Sequence, residues 1–262
     1  MKKVAVITGA SSGIGLSCGK ALQKNYVIYN LSRSGGGDSS FYNYKVDVND
    51  FVKIEDIAKK IFDREGRIDL LINNAGFGIA GAVEDCSPQN IYSLIDTNLS
   101  AVISISSIFI PYLKMSKGRI INISSVGGLV PLPYQAVYSA SKAGVEIFSR
   151  ALANELKRSG VKVTAVLPGD VKTNFTTARI VENKQQRAEE RERIDKSIKK
   201  VEKDEQSGKG PESVAKVVKK VVQMKRPPLR KTVGFSYKCV SFLAKILPSR
   251  LINFIVNKLY CK

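Results

Sequence analysis

The chain has no histidine among its 262 residues. That excludes Ser-His-Asp and Cys-His nucleophile systems and every metal site that needs imidazole. Cysteine is sparse. Cys18, Cys86, Cys239 and Cys261 are scattered, with no C-x-x-C pair. Neither a zinc site nor a disulfide framework is expected, and this usage fits a reducing, cytoplasmic compartment. Long apolar runs are missing too. The N-terminal KVAVIT stretch is too short for the apolar region of a signal peptide. No run reaches the roughly 18 apolar residues of a membrane span. Acidic residues stop at Glu212, while 12 basic ones follow. Of the formal net charge of +19, most sits after residue 175, where 22 Lys and Arg face 9 Asp and Glu. Such a concentration points to an anionic partner, a membrane surface or a nucleic acid.

What is present is a regular alternation. Lys3–Thr8 is a β-branched run without polar alternation, as in a strand buried on both faces of a parallel sheet. It leads into Thr8-Gly9-Ala10-Ser11-Ser12-Gly13-Ile14-Gly15 and then a helical pattern to about Lys24. Strand, glycine-rich turn and helix together let the backbone approach a diphosphate at a helix N-terminus. Tyr26–Ser32 is the second strand. No acidic residue stands at its end to bind an adenosine 2′-hydroxyl. Arg33 stands there instead, and it suits a 2′-phosphate, which favours NADP(H) while leaving NAD(H) open.

Tyr42–Val48 reads as the third strand, with Asp47 at its end as an adenine contact or a helix cap. Val52–Phe62 is an amphipathic helix, and Ile68–Ile72 is a strand leading to Asn73-Asn74-Ala75-Gly76. Ser87-Pro88 opens a long helix carrying Asn98. Arg119–Ile123 and Val161–Leu167 are further strands, separated by a helix over Val137–Lys157. The whole predicts a single-domain α/β fold, a Rossmann-like doubly wound parallel sheet, with a C-terminal helical extension. On the Val137–Lys157 helix, Tyr138 and Lys142 are one turn apart and share a face. The ammonium is expected to lower the pKa of the phenol and make it a proton donor.

In motif and order, residues 1–175 resemble the short-chain dehydrogenase/reductase family. TGASSGIG is similar to its TGxxxGxG cofactor loop, NNAG at 73–76 to its NNAG, and PGDVKT at 168–173 to its PG-x-V-x-T segment. Asn98, Ser125, Tyr138 and Lys142 match its catalytic tetrad in order and spacing. The spacing to the tyrosine selects Ser125 over Ser124, and SSVGGL resembles the GSVGGL of steroid 17-beta dehydrogenases. The resemblance implies a nicotinamide carrying the hydride, with Tyr138 handling the proton and Ser125 holding the substrate oxygen. It also implies that Lys142 bonds the nicotinamide ribose and that Asn98 steadies a water relay. Cofactor contacts are implied at Thr8, Gly9, Ser11, Ser12, Gly13, Ile14, Gly15, Arg33, Asp47, Val48, Asn74, Ala75, Gly76, Tyr138, Lys142, Pro168, Gly169, Val171 and Thr173. Dimers or tetramers pairing the helices of Asn98 and Tyr138 are implied as well.

The catalytic domain is expected over 1–235, with a variable substrate lid over 176–210. Within it, Thr176–Glu205 carries a charged helical pattern and Leu229–Phe235 is a short last strand. The remaining stretch, 236–262, is a basic amphipathic extension, broken at Leu247-Pro248-Ser249 into two helices with Ser249 as a cap. It is expected to touch a membrane peripherally or to complete the substrate pocket. Nucleic acid is not expected, because no reading module is present. The expected activity is NADP(H)-dependent interconversion of a carbonyl and a secondary alcohol on a lipophilic, steroid-like or acyl-chain substrate. The alternatives are an NAD(H)-dependent dehydrogenase of a hydroxysteroid or sugar-type alcohol, and a non-catalytic, membrane-associated cofactor-binding regulator.

Overall fold

The computed structural model describes residues 2–261. Met1 of the expected catalytic domain and Lys262 of the basic tail lie outside the described residues. In chain order the elements are β1 (Lys3–Thr8), α1 (Gly13–Leu22), β2 (Tyr26–Ser32), β3 (Tyr42–Lys45), α2 (Phe51–Glu65), β4 (Leu70–Asn73), β5 (Ile79–Gly81) and α3 (Pro88–Ile95). They continue with α4 (Ala101–Ser116), β6 (Arg119–Ile123), α5 (Ala136–Glu155), β7 (Lys162–Leu167), β8 (Ile180–Glu182), α6 (Ala188–Ser207), α7 (Glu212–Gln223), β9 (Arg230–Thr232), α8 (Phe235–Ile246) and α9 (Ser249–Tyr260).

Seven strands form one parallel sheet in the order β3-β2-β1-β4-β6-β7-β9. The apolar, β-branched strands β1, β4 and β7 are buried on both faces, as their lack of alternation predicts. One face is covered by α2, α4 and α5, through Ile54, Ile61, Phe109, Leu113 and Leu152. The other is covered by α1 and α7, through Cys18, Leu22, Val214, Val218 and Val221. Strand order reverses between β1 and β4, and such a switch point opens a crevice at the carboxyl ends of the strands.

Several local expectations are corrected. The third strand stops at Lys45, before Val46–Val48. The helix after it is capped by Asp50, whose carboxylate accepts the Lys53 N–H at 3.2 Å, and not by Asp47. The stretch 176–205 is not one helical pattern. Ile180–Glu182 pairs with Ile79–Gly81 as a separate two-stranded sheet, and the helix starts only at Ala188. The last strand ends at Thr232, and Phe235 already belongs to α8. Ser249 makes no capping bond; Pro248 occupies the cap of α9. The helix from Pro88 to Ser116 spans 29 residues and is by length and composition apolar enough to cross a membrane, although polar residues interrupt it throughout and no unbroken apolar run occurs, as expected. Leu94, Val102, Ile105, Phe109 and Leu113 along it are buried in the fold, which accounts for its apolar character.

Candidate active site

Thr8 ends β1 with its side chain turned toward the next strand. Its hydroxyl oxygen accepts the backbone N–H groups of Asn74 at 2.9 Å and Ala75 at 3.0 Å. The Asn74 amide donates in return to the Thr8 and Gly9 carbonyls, at 3.0 and 3.2 Å. TGASSGIG and NNAG are thereby locked side by side. Alternation along β4 sends Asn73 the other way, where it donates to Ser106 and Asn122 in the core. Gly9 sits at a φ of +69°, and a Cβ on Gly15 would lie 2.4 Å from the Gly9 carbonyl, so the turn closes only on glycine. Ser12 precedes α1 in extended conformation and makes no side-chain cap, leaving the first N–H groups of the helix free for an anion.

Asn30, fully buried in β2, is a residue the sequence reading passed over. Its carbonyl accepts the Ala10 N–H at 2.9 Å, and its amide donates to Ser32, Gly36 and Asn43. It ties the glycine loop to the loop bearing Arg33. The signal was a lone polar residue inside an apolar strand. Arg33 is exposed at the cavity rim, and Asp47 and Val48 line the same cavity. Asp47 caps its own turn, accepting the Asn49 N–H at 2.9 Å.

The tetrad residues converge at the other side of the switch point. Between α3 and α4 the helix widens into one π turn, Asp96–Ser100, and Asn98 within it is fully buried. Its side chain accepts the Phe77 N–H at 3.0 Å and donates to the Phe77 carbonyl at 2.9 Å and to Ser141 at 3.3 Å. A Cβ on Gly76 would meet Asn98 Oδ1 at 2.8 Å and Lys142 Nζ at 3.6 Å, so Asn98 and Lys142 flank Gly76. The two serines separate clearly. Ser124 is buried and donates to the Lys142 carbonyl at 2.8 Å, joining β6 to α5. Ser125 is half-buried, accepts the Gly127 N–H at 3.0 Å and lines the cavity beside Tyr138.

Tyr138 and Lys142 are both buried, with Lys142 Nζ 5.9 Å from the Tyr138 ring centre and donating to the Ile123 carbonyl at 3.1 Å. The expected lowering of the phenol pKa is overturned. Burial pushes Tyr138 up to about 12, and the Ser125 hydroxyl offsets this only in part. Lys142 is itself desolvated and drops to about 8; it stays charged at neutral pH, but burial of the phenol is the larger effect. A phenol of this kind keeps its proton at neutral pH, as a donor should.

One cavity of about 850 Å³ joins these parts. It runs from Gly9, Ser11, Ser12, Gly13 and Ile14 past Asn74–Gly76 to Ser125, Tyr138 and Lys142. Pro168, Gly169, Val171 and Thr173 line it as well. Of the implied cofactor contacts, Thr8 and Gly15 stand behind the lining and shape it from within. Beyond Tyr138 the walls include Phe175, Asp170 and Asp204, and then Val240, Leu243, Leu247, Ile252, Ile255 and Leu259 of α8, α9 and the turn between them. The Tyr237 hydroxyl donates to Asp170, whose pKa is raised by burial, and its ring lies over Gly169. Behind Phe175 the Arg179 guanidinium is wholly buried, paired with Glu205 and left with Nε and Nη1 unpartnered. Phe175, Arg179, Asp204 and Glu205 had no motif to announce them, whereas the α8 and α9 residues fall in the stretch expected to complete the pocket.

Residues 3–184 match the short chain dehydrogenase family. The chain belongs to that family. It is 37% identical over 236 residues to a 3-ketodihydrosphingosine reductase of Bacteroides thetaiotaomicron, covering 88% of each chain. The structure is similar to a short-chain dehydrogenase from Streptomyces avermitilis, with a TM-score of 0.81, 25% identity and coverage of 98% and 96% of the two chains. It is also similar to a family member from Burkholderia phymatum in complex with NAD, with a TM-score of 0.79, 23% identity and 92% of each chain covered. The chain is therefore an oxidoreductase that binds NAD or NADP. The residues present fit a dinucleotide: a glycine cradle that a single Cβ would fill, a free helix N-terminus, and a cavity running on from both.

Proposed function

We propose that this chain reduces a long-chain ketone to the secondary alcohol with NADPH. The carrying observation is the single cavity in which Tyr138, Ser125 and Lys142 stand between a glycine-loop cradle and an apolar chamber. When bound, the nicotinamide supplies the hydride. The glycine loop from Gly9 to Gly15 and the N-terminus of α1 hold the diphosphate, and Arg33 meets the 2′-phosphate. Ser125 holds the carbonyl oxygen and stabilises the charge that develops on it. Tyr138 gives that oxygen its proton, and its raised pKa keeps the proton available for reduction. Lys142 anchors the nicotinamide ribose and reprotonates the phenol. Asn98 orders the wall beside Lys142, where a water would link the ammonium to solvent.

The relative's name, 3-ketodihydrosphingosine reductase, supports a long-chain amino ketone as the substrate class. Asp170 and Asp204 in the cavity wall suit an amino group beside the carbonyl, and the α8 and α9 residues suit an alkyl chain. Residues 176–210 act as the lid over a catalytic domain that extends to 235. Exposed Ile103 on α4 and Ile147 on α5 support a homo-oligomer paired through those helices. The test is NADPH and NADH consumption on a panel of a 3-keto sphingoid base, a steroid ketone and a sugar. Turnover of the first with NADPH supports the assignment. Preference for a sugar, or for NADH, removes it.

A further inference from the structure

We propose that α8 and α9 dock this chain on an anionic bilayer and that the cavity mouth between them takes the substrate directly from the lipid. The entry step rests on the lipophilic-substrate reading; the docking does not. A helix that only roofs a cavity needs one apolar face. These helices carry two. Toward the cavity α8 presents Val240 and Leu243, the turn after it Leu247, and α9 presents Ile252, Ile255 and Leu259. Away from it, Phe242 is 61% exposed, Ile246 59% and Phe254 65%, with Phe235 also bare. No internal packing accounts for that second face. Monomeric proteins rarely leave contiguous apolar surface of this kind uncovered.

Charge selects the occupant. Lys238, Lys245, Arg250 and Lys258 are all exposed among these apolar residues, and no acidic residue follows Glu212. Aromatic and aliphatic side chains interleaved with lysine and arginine, on short helices lying along a surface, suit an anionic lipid–water interface. A second copy of the same basic face would meet like charge. The cavity gives the patch its purpose. Val240, Leu243, Ile255 and Leu259 line the cavity and are also exposed, so the lining reaches the surface within the patch. An alkyl chain leaving a bilayer at this point would pass from lipid to cavity wall without crossing water.

The test uses the full chain with vesicles of phosphatidylcholine alone or mixed with phosphatidylglycerol. Co-sedimentation is expected on the mixed vesicles, at least about tenfold above the neutral ones, since each basic residue near the surface contributes about fivefold. Phe242→Asp with Phe254→Asp, and separately Lys245→Glu with Arg250→Glu, are expected to abolish it. None of these side chains lines the cavity. Turnover of a long-chain ketone carried in mixed vesicles is expected to fall at least tenfold in both variants, with a short water-soluble ketone unaffected. Wild-type protein left in the supernatant, or variants that still sediment, would overturn docking. Equal loss on both ketones would overturn the entry role. Sedimentation velocity adds a further check: dissociation of an oligomer by Phe242→Asp with Phe254→Asp would show a second copy on this face and overturn the lipid. Docking without turnover of any long-chain ketone in detergent would instead defeat the proposed reaction alone.

Discussion

The sheet with its cofactor loop and the two C-terminal helices are built on opposite terms. In the first region almost every apolar side chain is buried, and its polar residues answer one another: Thr8 with Asn74, Asn30 with Ala10, Ser124 with Lys142. In the second, Val256 is the buried apolar residue, while Phe242, Ile246, Leu251 and Phe254 face outward. The first region's geometry is fixed by the reaction it supports. The second lines the cavity on one side and leaves a bare apolar face on the other, which the proposals above give to a substrate chain and a lipid surface. The two share a cavity.

Substitutions at the chemical end should have the largest effects. Tyr138→Phe removes the proton donor and is expected to lower kcat by about 10²–10⁴ while leaving the cofactor dissociation constant nearly unchanged, as stopped-flow and titration would read. Glu205→Gln strands the buried Arg179 guanidinium without its counter-ion. Losing one partner of such a pair costs about 3 kcal/mol, measurable by denaturant unfolding. Lys142→Met is expected to act in the opposite sense on stability. The Lys142 pKa is about 8 folded against 10.5 for the free group, so between these values the unfolded chain binds the extra proton and stability rises with pH. Below pH 8 the buried ammonium costs about 3 kcal/mol. The variant should therefore unfold later than wild type at pH 7, with the gap closing toward pH 10.5, while turnover is lost. Arg33→Ser is the smallest of the set. It should weaken NADPH by about tenfold and leave NADH unchanged, the worth of one charge-assisted contact at an exposed site.

Legibility divides along the same line. The parallel sheet, the glycine turn and the shared face of Tyr138 and Lys142 could be read because each rests on a local rule: an unalternating apolar run, a glycine where a Cβ would strike Gly9, a helical turn from Tyr138 to Lys142. The π turn at Asn98 could not, since a widened helix has the same periodicity signal as a regular one over so few residues. The pairing of Ile180–Glu182 with Ile79–Gly81 is a long-range event inside a charged stretch, and helical charge patterning masked it. The direction of the Tyr138 pKa shift was misread because spacing reveals a neighbouring charge but not the burial that outweighs it. SSVGGL pointed toward steroids. The family match does not reach that far, and the long-chain class proposed instead rests on a relative's name and on the chamber walls. Arg179 and Glu205, brought together only by the lid fold, carried no motif at all.

The most direct measurement of the shared cavity is kcat/KM with NADPH across a series of 3-keto substrates of increasing alkyl length, presented in detergent. Burial of each methylene against Leu243, Ile252, Ile255 and Leu259 should raise kcat/KM, by up to about fourfold per carbon, until the chamber is filled. A flat dependence on chain length, with the shortest ketone turned over as well as the longest, would contradict the account.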